Sequence, residues 1–240
     1  MTATGKEKKM RLDRDHVIER VNAARERDER PNLQGVDLHE VDLHEVDLED
    51  ANLQGADLRG ANLNDATLGF ANLQGADLQN AVLDSTDLYC ADLVGADLRY
   101  AELWGANLRA ADLYGADLQG AELSDADLHV ANLHGADLRD AELFSNNLNG
   151  ADWGGLQITD LPSGQLILTP TCDGWKLRVG CWKGTPDQLR DLIAQGKGWP
   201  EAEGEEISRR RPYLQAALTL CEVHMKDHQG VIDNLKERWG

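Results

Sequence analysis

Cys221, His224 and His228 fall at i, i+3 and i+7, a spacing that gathers a thiol and two imidazoles on one face of a helix. With Cys172 or Cys181 as a fourth ligand they have the donor set of a tetrahedral zinc site, and the C-terminal region would then be a zinc-binding adaptor. A plainer reading competes with it: Leu214, Ala217, Leu218, Cys221 and Met225 mark the buried face of a helix, and the histidines lie beside that core. The run Gly180-Cys181-Trp182-Lys183-Gly184-Thr185 follows an expected strand and opens an expected helix, as a phosphate loop does. Its order is Lys-Gly-Thr rather than Gly-Lys-Thr, and the spacing fails. No Ser-His-Asp or Cys-His set stands in a local motif. We therefore expect no enzyme, no cofactor and no committed metal ligands.

The elements that carry these residues follow from punctuation. A fading beat of Leu156, Ile158 and Leu161 ends at Pro162. Gln165–Leu168 and Trp175–Trp182 read as strands around a Cys172-Asp173-Gly174 turn. Thr185 N-caps a helix with Pro186 at its first position, ending near Gly196. A second helix begins at Pro200, a longer one follows Pro212, and Gly230 interrupts before Val231, Ile232, Leu235 and Trp239. The result is a small α+β or helical C-terminal domain over 161–240. The four cysteines show no Cys-x-x-Cys pair, which points to free thiols in a reducing cytoplasm. No basic-then-apolar leader and no apolar run of ~18 residues is present, so neither export nor a membrane span is expected.

Residues 31–155 are a five-residue phrase repeated without a gap, as in Ala51-Asn52-Leu53-Gln54-Gly55, Ala56-Asp57-Leu58-Arg59-Gly60. Of 25 units, the third position is Leu in 24 and Trp153 in the last, and the first is Ala in 19. The second is Asp, Asn or Glu in all but Thr67 and Val82. Five residues advance an α-helix by ~500°, which smears any stripe around the helix. A flat strand of period two fails as well. A coil that turns a corner every five residues fits.

This pattern resembles the pentapeptide-repeat family, whose consensus is Ala-(Asp/Asn)-Leu-x-x. The resemblance covers about half of the chain and implies a mainly β fold, a right-handed quadrilateral β-helix with four pentapeptides per coil. It further implies that Leu and the Ala two before it point inward and the other three positions outward. The expected organisation is 1–30, a disordered tail and N-terminal cap helix; 31–160, the β-solenoid; and 161–240, the accessory domain.

Residues 1–10 read as the tail. Asp13 or Asp15 N-caps a helix to about Glu29 whose apolar residues are Val17, Ile18, Val21 and Ala24. That narrow stripe suits a cap over the open end of the solenoid, and Val36, Val41 and Val46 in the first coil widen the floor beneath it. A partner-binding or dimerising helix is the alternative.

Taking every twentieth residue sorts the units into four sides. Side one ends each unit in Gly, from Gly35 to Gly155, which implies a φ > 0 turn. Side four has Phe70, Cys90, Ala110 and Val130 there, and a β-branched residue is strained at φ > 0, so those corners are expected to use a different turn. Thr86 and Asn146 are polar intruders at inward sites, and Trp153 reads as a plug. The histidines of the pairs His39/His44 and His129/His134 fall on different sides, unsuited to holding one ion.

Net charge is −19, and the array holds 24 acidic against 4 basic residues. Asp37, Asp57, Asp77, Asp97, Asp117 and Asp137 form one outward column on side two, beside Arg59, Arg99 and Arg139. Coils ~4.8 Å apart give a rod of roughly 30 Å. Its excess charge is one per ~1.5 Å, near the ~1.7 Å of double-stranded DNA. Phe70, Cys90, Ala110 and Val130 form an apolar stripe that the chain's own C-terminal region is expected to cover. Tyr89, Tyr100, Trp104 and Tyr114 cluster mid-rod. Together these features point to a non-enzymatic protein-interaction scaffold with an acidic surface, whose partner surface includes the Asp column, Phe70, Cys90, Val130 and Trp104. The alternative, implied by resemblance to the quinolone-resistance branch of the family, is a DNA mimic that binds a type II topoisomerase such as gyrase. A protein partner is expected, with no direct nucleic-acid binding; the oligomeric state stays open.

Overall fold

In the computed structural model, residues 10–195 and 205–240 are described. Most of the expected tail, and the helix start expected at Pro200, lie outside them.

The array is a coil of twenty residues. Parallel bridges join each second-position residue to its equivalent one coil on, from Asn32↔Asn52 to Asn132↔Asp152. The ladder is regular: Leu33 N donates to Asn52 O at 2.7 Å, and Asn52 N to Pro31 O at 2.8 Å. Each side closes with a turn in which the first residue of the next unit donates back to the Leu carbonyl, as Ala56 N does to Leu53 O at 3.0 Å. Positive φ falls at the third residue of that turn, the requirement of type II. The 24 leucines from Leu33 to Leu148 are at most 4% exposed, so the interior is filled by Leu and Ala.

The expectation of a different turn on side four is overturned. Phe70, Cys90, Ala110 and Val130 have φ of 58°, 56°, 54° and 54°, matching the glycine corners. The reason is the ladder. Val130 N is held by Asn149 O at 2.9 Å while Ala131 N closes the turn on Leu128 O at 3.0 Å, so the corner is enforced from both flanks. A left-handed residue costs about 1–2 kcal/mol, less than breaking two hydrogen bonds of a buried ladder. At the end of the array the beat shifts: the positive φ lies at Gly154, not Gly155, because Trp153 fills the Leu site and its ring passes over Gly155.

The inward polar residues donate alike, although Asn146 Oδ1 is buried without a partner among the described residues. Thr86 Oγ1 donates to Leu63 O at 2.7 Å, and Asn146 Nδ2 donates to Leu123 O, each to a Leu carbonyl 23 residues earlier.

Helix α1 (Arg14–Arg25) is N-capped by Asp13, whose side chain accepts from His16 N. It ends sooner than Glu29, and it buries Val17, Val21 and Ala24. Val17 and Val21 join the same apolar cluster as Val36, Val41 and Val46, so the helix packs against the first coil. Arg25 fixes it by pairing with Asp47 at 2.6 Å.

The C-terminal region is α+β. Strands β1 (Leu156–Ile158), β2 (Leu166–Thr171), β3 (Gly174–Val179) and β4 (Trp182–Gly184) form one antiparallel sheet in sequence order. Strand β1 falls inside the segment read as array. Helices α2 (Pro186–Gln195), α3 (Glu205–Asp227) and α4 (Gln229–Trp239) follow. Helix α3 runs through Pro212, which sequence reading placed before a helix, and Gly230 lies inside α4. Leu166, Leu168, Leu177, Leu189, Leu214 and Cys221 build a second core, while Ile167, on the other face of β2, joins the solenoid core and closes its end.

Candidate interaction surface

The outward second position has a structural task. Its side-chain oxygen accepts the N–H of the residue two further on: Asn32 from Gln34 at 3.1 Å, Asp97 from Arg99 at 3.2 Å, Asp127 from His129 at 3.1 Å. That N–H would otherwise lack an acceptor in the turn, so Asp and Asn are interchangeable there.

On side two the six aspartates stand in bridge register from Asp37 to Asp137. Arg59 pairs with Asp57 at 2.6 Å and lies 3.5 Å from Asp77. Arg99 repeats this with Asp97 and, at 3.5 Å, Asp117. Arg139 pairs with Asp137, which is 2% exposed and so is not the outward group expected at that end. Asp37 meets the His39 ring, and that hydrogen bond holds its carboxyl below the ordinary range. Burial pushes Asp117 up. Three arginines, reaching within their own coil and the next, thus offset half of the column's six negative charges.

Side three is different. Its six units carry Asp42, Glu45, Asp65, Asp84, Glu102, Glu122, Asp125 and Glu142 and no Lys or Arg. Among the described residues cations reach it only near the ends: Arg14 at Asp42 O and His44 O, and Arg178 and Lys183 at Glu142. Between them stands Trp104, 52% exposed, whose Nε1 donates to Asp125 Oδ2 at 3.1 Å while its backbone N donates to Asp84 Oδ1 at 2.9 Å. Tyr100, 57% exposed, lies at the edge of this face with its ring against Gly120. This imbalance is written in every fourth unit of the sequence, beside the more regular Asp column of side two.

The side-four stripe is not covered. Phe70 and Val130 remain 47% and 50% exposed, Cys90 is half-buried, and Phe70 meets Tyr89 edge-on at 5.4 Å. The C-terminal region folds onto side one instead, where glycine corners admit it: Arg238 and Trp239 donate to the carbonyls of Gly115 and Gly135.

Among the described residues only Asp37, His39 and Asp57 bring three metal-ligand atoms within 4.8 Å, a group the pairing of His39 with His44 overlooked. Arg11 lies 2.9 Å from His39 Nε2, and Arg59 holds Asp57, so guanidinium groups already supply positive charge there. Cys221 is fully buried, and burial pushes its thiol up to about 12. His224 Nε2 lies 2.9 Å from Gly154 O, and His224 stacks on His228 at 3.9 Å. Cys172 turns to Trp239 O, and Cys181 is exposed. Lys183, in the loop-like run, pairs with Glu142, while Thr185 and Gln188 form a reciprocal cap on α2. Among the described residues no helix is long and apolar enough to cross a membrane.

A filled coil with its polar groups arrayed outside defines a β-solenoid whose chemistry is confined to its surface. The model for pentapeptide repeats matches residues 30–60, 61–99, 91–129 and 121–152, and the chain belongs to that family. No curated protein matches. Among solved structures the chain is similar to HetL, a pentapeptide repeat protein involved in heterocyst differentiation regulation from the cyanobacterium Nostoc sp. strain PCC 7120. The two are 37% identical over 52% of this chain and 66% of that one, with a TM-score of 0.27. It is similar to Rfr23 from the cyanobacterium Cyanothece 51142, at 27% identity over 58% of this chain and 98% of that one, TM-score 0.32. It is also similar to QnrB1, a plasmid-mediated fluoroquinolone resistance protein, at 25% identity over 50% and 65%, TM-score 0.22.

Proposed function

We propose that this protein is a non-enzymatic scaffold that binds a basic protein partner along side three of the rod. The observation that carries it is the charge imbalance: eight carboxylates and no Lys or Arg on side three, with exposed Trp104 among them and exposed Tyr100 at the edge. Aromatic faces beside carboxylates suit Lys and Arg of a partner, by cation–π contact and ion pairing together. The filled interior supports a surface role. A photo-crosslinking amino acid at Trp104 should capture a partner from the native cytoplasm, and one at Gln54 on side one should not. Glu102→Lys with Glu122→Lys should abolish capture, as should high salt. Equal capture at both positions sinks the reading.

A second reading, a DNA mimic acting on a type II topoisomerase, has the rod's charge density in its favour: one excess charge per ~1.5 Å compares with ~1.7 Å in duplex DNA. The side-two column supports it less, because arginines contact five of its six aspartates. A gyrase supercoiling assay decides. Inhibition that fades when Asp57, Asp77, Asp97 and Asp117 become Asn favours mimicry; no inhibition at any salt removes it.

A further inference from the structure

We propose that helix α3 is a dimerisation helix that pairs antiparallel with α3 of a second copy of this chain. Helix α3 buries Leu214, Ala217, Leu218 and Cys221 against its own domain. Its opposite face is apolar and open: Tyr213, Leu220 and Val223 are 52%, 55% and 53% exposed, and they are the exposed large hydrophobics among the described residues of the C-terminal region. With Ala216, also exposed, they fall at i, i+3, i+7 and i+10, the seam of a two-stranded coiled coil rather than scattered surface residues. A seam of this kind has no use on a solvated helix.

The charges at its ends select the occupant. One heptad step before Ala216 stands Arg209, and one after Leu220 stands Asp227, both exposed and both in line with the stripe. A two-fold axis through the middle of the stripe sets Tyr213 against the partner's Val223 and Ala216 against the partner's Leu220. The same operation sets Arg209 against the partner's Asp227, once at each end. No further adjustment is needed, because the three pairings share one register. The parallel arrangement instead sets Arg209 on Arg209 and Asp227 on Asp227, a like-charge cost at both ends. Thr219 and Ala216 near the axis are small enough for close helix approach. The surface is therefore self-complementary, as an isologous interface must be. From Arg209 to Asp227 the contact is ~27 Å long, which suits a weak, concentration-dependent dimer.

Sedimentation velocity of the full chain across a concentration series tests this, since the species should pass from the 26.4 kDa monomer to twice that mass. Leu220→Glu with Val223→Glu alters only exposed side chains, so the circular dichroism melt should stay in place while dimerisation weakens roughly tenfold or more, the equivalent of 1.4 kcal/mol. Arg209→Asp alone should weaken the dimer, and Arg209→Asp with Asp227→Arg should restore it. In a Cys181→Ser background, Thr219→Cys near the axis should form a disulfide-linked dimer, while Tyr213→Cys should not. A monomer at every concentration, a dimer indifferent to Leu220→Glu with Val223→Glu, or cross-linking through Tyr213→Cys would each overturn the proposal. The first of these would leave the stripe to a partner of another sequence.

Discussion

Arg238 Nη2 donates to the carbonyl of Gly115 at 3.0 Å across 123 residues of sequence. One coil on, Trp239 Nε1 donates to Gly135 O at 2.9 Å, and the Arg238 guanidinium lies 5.4 Å from the Tyr114 ring centre. The last two side chains of α4 thus dock on side one of the rod. A Cβ on Gly115 would overlap the Arg238 guanidinium and push this flexible side chain from its place, so the glycine leaves room for the contact as well as suiting its φ of +60°.

Gly75 has the same φ of +60° but open space where a Cβ would go. Gly75→Ala should cost about 1 kcal/mol, the left-handed penalty alone. Gly115→Ala should cost more and should speed amide exchange in Gln229–Trp239, which Gly75→Ala should leave unchanged. Equal effects of the two substitutions would show that Arg238 does not clamp α4.

Val130 is a β-branched residue at φ 54°, half exposed. Val130→Gly should raise the thermal midpoint, by about 1 kcal/mol in stability. Ala110→Gly, at the same φ, should gain less because Ala is less strained. A loss at Val130 would mean that its contact with the Gly150 corner outweighs the strain.

Burial alone would push the Glu142 carboxyl up, but hydrogen bonds from Lys183 and Arg178 outweigh it and hold the group below its ordinary 4.5. Its stabilising effect is therefore complete above 4.5 and is lost as pH falls through the lowered folded value. These partners tie the sheet to side three, so Glu142→Gln should destabilise the C-terminal region at pH 7. The difference from wild type should vanish on acidification, followed by fluorescence of Trp175 and Trp182. A difference that persists at low pH would rule out this ion pair as its source.

The buried Cys221 thiol, pushed up to about 12, stays protonated at neutral pH and should resist alkylation, while exposed Cys181 reacts. Mass spectrometry after iodoacetamide at pH 8 measures the order. Protection of Cys221 that disappears on chelation would instead reveal a bound metal.

The repeat could be read from sequence because its contacts repeat with it. A turn spans four residues, a bridge spans twenty, and Leu against Asp or Asn sorts inside from outside at every step. Helix α1 was legible for a similar reason, as Asp13, Val17 and Val21 form a local pattern. Other features belong to the assembled coil. Val130 and Phe70 take φ values their types disfavour because ladder bonds on both flanks hold them there. The Asp column is half offset because arginines reach along the rod from coil to coil, and Glu142 is gripped by residues 36 and 41 positions away. The choice of side one over side four for α4 rests on two side chains finding open carbonyls beside glycines more than 100 residues earlier. Local spacing records periodicity and burial; it does not record which distant surface a helix will meet, because that depends on shape only the folded rod possesses.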